Sequence, residues 1–193
     1  ATLVYLTAYQ ALTIWGDLPL SAAVLVTGAS GGVGVAAVQL AAAMGHMVLA
    51  LSRSPEKCHR LEQLGASASF NPEDPKWTLA LKAALAPRRV DLAIDNIGGT
   101  LLPQIISTLG ELGRVSLVGR LAGPVPSFNT ATLFFRRLRL GLPLPEFFAG
   151  VAVQRGDGVA EVAKAAPAAG SHLRILEHRA VGDGDKRGRG LEE

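Results

Sequence analysis

Aromatic side chains are scarce in this chain of 193 residues, with Phe, Trp and Tyr together at 5%. A core must therefore be built from Ala, Val and Leu, whose small side chains let helices sit close against a sheet. There is one cysteine, Cys58. This excludes an intrachain disulfide framework and suits a reducing, cytoplasmic setting. Net charge is only +3, and the basic residues are spread out apart from Arg136, Arg137 and Arg139. A nucleic-acid surface would show a denser basic stripe with exposed aromatics, so no nucleic-acid partner is expected. Ala1–Tyr9 has neither the charged segment nor the cleavage site of a signal peptide. Val33–Leu51 is the one stretch approaching membrane-span length, but Gln39, Gly45 and His46 interrupt it. It reads as a buried helix running into a buried strand, and no membrane partner is expected. His46, His59, His172 and His178 are not spaced as metal ligands and Cys58 has no Cys partner, so no metal site is expected.

What is present is a globular composition, 49% hydrophobic and 18% charged. Tyr5–Trp15 has apolar residues at helical spacing. Strands are expected at Ala22–Thr27, Met47–Leu51, Ser67–Phe70, Val90–Asp95 and Arg114–Val118, with a sixth edge strand at Leu133–Leu140. Helices are expected between them: Gly31–Gly45, a segment capped by Ser54-Pro55 and stopped at Gly65, one capped by Asp74-Pro75 and reaching Ala86, and Thr100–Leu109. Strands alternating with helices predict an α/β fold of Rossmann type, a doubly wound parallel sheet in three α/β/α layers. This domain, with its leading helix, is expected to span residues 1–141. Residues 142–193 read as a C-terminal tail, with one short helix at Gly158–Ala168 and a disordered, Gly-rich end.

The segment Thr27-Gly28-Ala29-Ser30-Gly31-Gly32-Val33-Gly34 falls between a predicted strand and a predicted helix. Glycines there permit a sharp turn and bring backbone N–H groups against a pyrophosphate, and the helix start adds partial positive charge. An NAD site places a carboxylate at the tip of the second strand to hold the ribose hydroxyls. Here that tip reads Leu51-Ser52-Arg53-Ser54, without a carboxylate. Arg53, flanked by hydroxyls and near Lys57, suits a 2′-phosphate, so NADP(H) is the expected cofactor. The loop also fits the short-chain dehydrogenase pattern. That class needs a Tyr and a Lys four residues apart downstream, and the only tyrosines, Tyr5 and Tyr9, precede the loop.

Further pieces complete a family likeness: Leu6-Thr7-Ala8-Tyr9-Gln10-Ala11-Leu12, Leu64-Gly65-Ala66, Asp95-Asn96-Ile97-Gly98-Gly99, and Leu112-Gly113-Arg114 through Val118-Gly119. Together with the loop they resemble the cofactor domain of the medium-chain dehydrogenase/reductase superfamily, in its zinc-free quinone oxidoreductase and enoyl reductase branch. The likeness covers residues 1 to about 140 in the expected order. It implies that Ala29, Ser30, Gly31, Gly32 and Val33 cradle the pyrophosphate, and that Ser52, Arg53 and Lys57 take the adenosine phosphate. Asn96 and Ile97 would lie near the ribose and the cofactor's middle, and Val118, Gly119 and Arg120 at its nicotinamide end, approached by Thr7. Pro72 departs from the pattern, standing where several relatives place a Tyr against the phosphate. The resemblance further implies a small-molecule electron acceptor, a quinone or an α,β-unsaturated carbonyl reduced by hydride transfer. It also implies a homodimer formed through the edge strand at 133–140. Two other readings stay open: a dinucleotide-binding module without catalysis, and an enoyl-reductase domain of a polyketide or fatty-acid synthase.

Overall fold

The computed structural model describes residues 2–123 and 129–141. Six strands form one sheet: β1 (Ala23–Val26), β2 (Met47–Leu51), β3 (Ala68–Phe70), β4 (Val90–Asp95), β5 (Leu109–Leu117) and β6 (Arg139–Gly141). All neighbours pair in parallel, in the order β3-β2-β1-β4-β5-β6. This is the doubly wound Rossmann order, which reverses direction between β1 and β4.

Alternation along each strand divides the core. Val24 and Val26 of β1, Val48 and Ala50 of β2, and Leu92 and Ile94 of β4 face helices α1 (Thr2–Thr13), α2 (Gly32–Ala43) and α3 (Pro55–Gln63). The intervening residues, Ala23, Leu25, Leu49, Leu51 and Ala93, face α4 (Trp77–Leu85) and α5 (Leu101–Thr108). Both sheet faces are thus covered, which is why the strands read as continuous apolar runs and not as alternating ones. The shortage of aromatics is visible in the packing. Among the described residues Trp77 is the one aromatic in the set of largest fully buried side chains, and the first face is lined by Ala8, Ala11, Ala36, Ala37 and Ala41.

Most expected boundaries are met within a few residues. Ser54 caps α3 as read, its Oγ accepting from the Lys57 N–H at 3.3 Å with Pro55 following, and Gly65 at φ +115° ends the turn. Three expectations need correction. The Asp74-Pro75 cap is an Asx turn ahead of the helix: Asp74 Oδ1 accepts from Lys76 N–H at 2.8 Å, and α4 begins only at Trp77. Strand β5 starts early, at Leu109, and its register against β4 shifts between Leu109 and Arg114, with Leu112 at φ +59°. The edge strand expected over Leu133–Leu140 is instead a short helix α6 (Ala131–Phe135), a turn at Arg137 with φ +51°, and the three-residue β6. Phe134 and Phe135 therefore lie on α6, exposed and packed edge to face at 5.5 Å, not on the sheet edge. The expected tail, residues 142–193 with its helix at Gly158–Ala168, lies outside the described residues. No helix among the described residues is long and apolar enough to cross a membrane.

Candidate cofactor site

Parallel strands bring all their carboxyl ends to one edge of the sheet, and the loops leaving β1, β2, β4 and β5 meet there. Ser30, Gly31 and Gly32 are exposed in the loop after β1, with Ala29 buried beneath them and Val33 half-buried. The loop is anchored by Thr27 N–H donating to Ile94 O at 3.0 Å, Ala29 N–H to Leu51 O at 3.3 Å and Gly31 N–H to Gly28 O at 2.9 Å. Gly34 packs one turn inside α2, where a β-carbon would stand 2.4 Å from Gly28 O and 2.6 Å from Ala29 Cα. Only glycine lets the helix start this close to the loop.

The amino end of α2 carries no side-chain cap on Gly31 and no acidic residue in its first turn. Its first N–H groups have no acceptor within the helix, so this end is electropositive. Among the described residues the N–H groups of Ser30, Gly32 and Val33 donate to no backbone or side-chain acceptor. The donor set fits an anionic pyrophosphate and nothing among the described residues fills it.

A buried knot joins this loop to the next strand end. Thr27 Oγ1 donates to Asp95 Oδ1 at 2.7 Å and accepts the Asn96 N–H at 2.9 Å. Asp95 Oδ1 also accepts from the N–H groups of Ile97 and Gly98, both at 3.1 Å, and Asn96 Nδ2 donates to Thr27 O at 2.7 Å. Asp95 Oδ2 is buried without a partner among the described residues. The turn after β4 is thereby fixed with Ile97 against Gly28, whose φ is +55° and whose β-carbon would meet Ile97 Cδ1 at 2.9 Å. Asp95 O in turn accepts from Val118 N–H at 2.8 Å and Gly119 N–H at 3.1 Å. Gly119 is pressed so closely on Asn96 that a β-carbon would come within 2.2 Å of its carbonyl oxygen. Arg120 is exposed beside Gly98.

At the tip of β2, Ser52 is buried, its N–H donating to Phe70 O at 3.0 Å, while Arg53 and Lys57 are exposed. Arg53 Nη1 lies 3.7 Å from Glu73 Oε1 on the loop after β3. The structure thus brings Ala29 to Val33, Asn96, Ile97, Val118, Gly119 and Arg120 to the reversal point, and Ser52, Arg53 and Lys57 one strand away. Thr7 stands apart on α1, half-buried, with its hydroxyl donating to Leu3 O at 3.0 Å. Of that helix, it is Val4 that abuts the loop, at Gly32. Sequence reading passed over Thr27 and Asp95 as site residues, because their partnership spans 68 positions. It passed over Glu73 for the same kind of reason. No three His, Cys, Asp or Glu side chains converge among the described residues. Cys58 Sγ donates to Ser52 O at 3.5 Å, and His59 Nε2 is paired with Gln63.

The family model for zinc-binding dehydrogenases matches residues 32–145. Human quinone oxidoreductase is 35% identical over 115 residues, which cover 60% of this chain and 35% of that protein. Highly reducing polyketide synthase 40 of Fusarium pseudograminearum is 32% identical over 120 residues, 61% of this chain and 5% of the synthase. A mycobacterial protein solved in complex with NADPH superposes with a TM-score of 0.69 at 25% identity, over 78% of this chain and 46% of that one. The chain spans about a third of the length of the curated quinone oxidoreductase it matches. The family model covers more than half of the chain, which therefore belongs to the zinc-binding dehydrogenase family, in the quinone oxidoreductase and enoyl reductase-like branch of the medium-chain dehydrogenase/reductase superfamily.

Proposed function

We propose that this chain is the cofactor-binding part of a zinc-independent, NADPH-dependent oxidoreductase acting on a quinone or an α,β-unsaturated carbonyl. The observation that carries the reading is the uncapped, acid-free amino end of α2 behind the Gly28–Gly34 loop, at the point where the strand order reverses. Within the Ala29–Val33 cradle, the free N–H groups of Ser30, Gly32 and Val33 hold the pyrophosphate. Ser52, Arg53 and Lys57 hold the 2′-phosphate; Asn96 and Ile97 floor the middle of the site; Val118, Gly119 and Arg120 border the nicotinamide end, with Thr7 near it. The bound nicotinamide supplies a hydride, which passes to the acceptor while a proton completes the reduced product. The chain's own share is orientation in a preformed cleft, and rigid placement is worth a large part of such a barrier. With polarisation left to hydrogen bonds and cofactor placement, activated acceptors are favoured over simple alcohols.

The likeness to a polyketide synthase supports a second setting for the same chemistry, an enoyl-reductase domain within a synthase. The position of β6 at the edge of the sheet among the described residues supports a homodimer in which β6 pairs with its copy in a second chain, since an unpaired edge invites such addition. Sedimentation showing a monomer at micromolar concentration would remove the dimer.

The test is a calorimetric titration with NADPH and then NADH, followed by nicotinamide absorbance with a panel of quinones and enones added to the whole protein. NADPH binding with loss of absorbance is expected, and it should survive dialysis against a chelator. A chain that binds neither nucleotide, or a whole protein that oxidises NADPH with no acceptor of the panel, overturns the reading.

A further inference from the structure

The tip of β2 lacks the carboxylate of an NAD site, but the fold returns one to the same place from the neighbouring strand. Leu51 pairs with Phe70 in register, and Ser52 N–H donates to Phe70 O, so residues 52–53 and 71–73 leave the sheet side by side. Asn71 Oδ1 accepts from Glu73 N–H at 2.9 Å, an Asx turn that fixes where Glu73 emerges. Its carboxylate then lies 3.7 Å from Arg53 Nη1, with both side chains mostly exposed, at 65% and 77%. An ion pair this exposed contributes little to folding. Its effect falls on whatever anion Arg53 would receive. Glu56, on the first turn of α3, is turned to Ser54 Oγ, whereas the Glu73 carboxylate is turned to Arg53.

We propose, resting on the NADPH reading above, that Glu73 is a specificity-determining residue of the phosphate subsite. Its carboxylate occupies the guanidinium that a 2′-phosphate needs and repels that dianion, while it can accept a hydrogen bond from the unphosphorylated ribose of NADH. Arg53 alone favours NADPH; the Arg53–Glu73 pair moderates that preference and leaves the site able to accept either nucleotide. A phosphate at this pH carries close to two charges, so one opposing carboxylate several ångströms away matters even when screened.

The experiment measures affinity for NADPH, NADH and 2′,5′-ADP in the wild-type chain, Glu73→Gln and Glu73→Lys, at low and at raised salt. Glu73→Gln should tighten NADPH and 2′,5′-ADP by about three- to tenfold, leave NADH unchanged or slightly weaker, and lose most of the gain at high salt. Glu73→Lys should extend the same trend. A wild-type chain that binds neither nucleotide removes the cofactor reading and this proposal with it. A wild-type chain that binds both, with an NADPH-to-NADH ratio unmoved by either variant, overturns the role of Glu73 alone.

Discussion

Thr27 Oγ1 donates a 2.7 Å hydrogen bond to Asp95 Oδ1, and both residues are fully buried at the two strand ends where the sheet reverses. Through this contact and the two bonds from Asn96 to Thr27, the glycine loop and the turn at Asn96–Gly98 become a single rigid unit. Thr27→Val keeps the shape and removes the hydroxyl, leaving Asn96 N–H without its acceptor and Asp95 Oδ1 without one donor. The expected loss is about 2–4 kcal/mol in urea denaturation. Thr27→Ser keeps both bonds and loses one buried methyl, about 1 kcal/mol. Equal losses from the two variants would show that packing, not the hydroxyl, holds this corner.

Gly34 and Gly16 separate two reasons for glycine. At Gly34 the obstacle is space, with Gly28 O only 2.4 Å from a β-carbon; at Gly16 nothing among the described residues lies within 4 Å but φ is +76°. Gly34→Ala should cost about 3 kcal/mol or more, since backbone must move to admit the methyl. Gly16→Ala should cost only about 1 kcal/mol, the penalty of left-handed backbone. Thermal or urea midpoints compare them directly, and a similar cost at both would contradict the close approach of α2 to the loop.

These corner contacts mark where sequence reading stops. Period and punctuation suffice for β1 and β2, because each is an apolar run of buried residues followed within a few positions by glycine or a capping residue, as at Ser54-Pro55. They also suffice for the loop and for Arg53 at a strand tip. The run Leu133–Leu140 defeats them. Its residues serve a helix and a strand equally, and the break at Arg137 depends on a positive φ that no residue type there signals. Likewise the early start of β5 rests on tertiary contacts such as Leu112 N–H to Arg136 O at 2.8 Å. Thr27–Asp95 and Arg53–Glu73 join different strands, and only the sheet order makes them neighbours.

Cys58 gives a pH prediction on the only thiol in the chain. Burial pushes the thiol above its ordinary value, and the Glu62 carboxylate adds to this. Only the thiolate is nucleophilic, so a raised value means less reactive form at any given pH. Alkylation at neutral pH should therefore be slower than for free cysteine, with its rate–pH curve displaced to higher pH. Glu62→Gln should bring the curve only part of the way back, because burial is the larger cause. A midpoint at or below that of free cysteine would contradict the partial burial of Cys58.

Ser30 offers a test in which fold and binding move in opposite directions. It is exposed, one residue before the Gly31 cap, at a helix end with no acidic residue in its first turn. In Ser30→Asp the new carboxylate can accept from the free N–H groups of α2 and complement its dipole, a gain of about 0.3–1 kcal/mol in stability. The same carboxylate would sit on the donors assigned to the pyrophosphate, so NADPH affinity should fall at least about tenfold. Melting curves with and without NADPH read both effects in one experiment. A variant that melts lower and binds less has merely been damaged. One that melts as high as the parent and has lost NADPH identifies the amino end of α2 as the anion site, whereas undiminished affinity would move the pyrophosphate elsewhere.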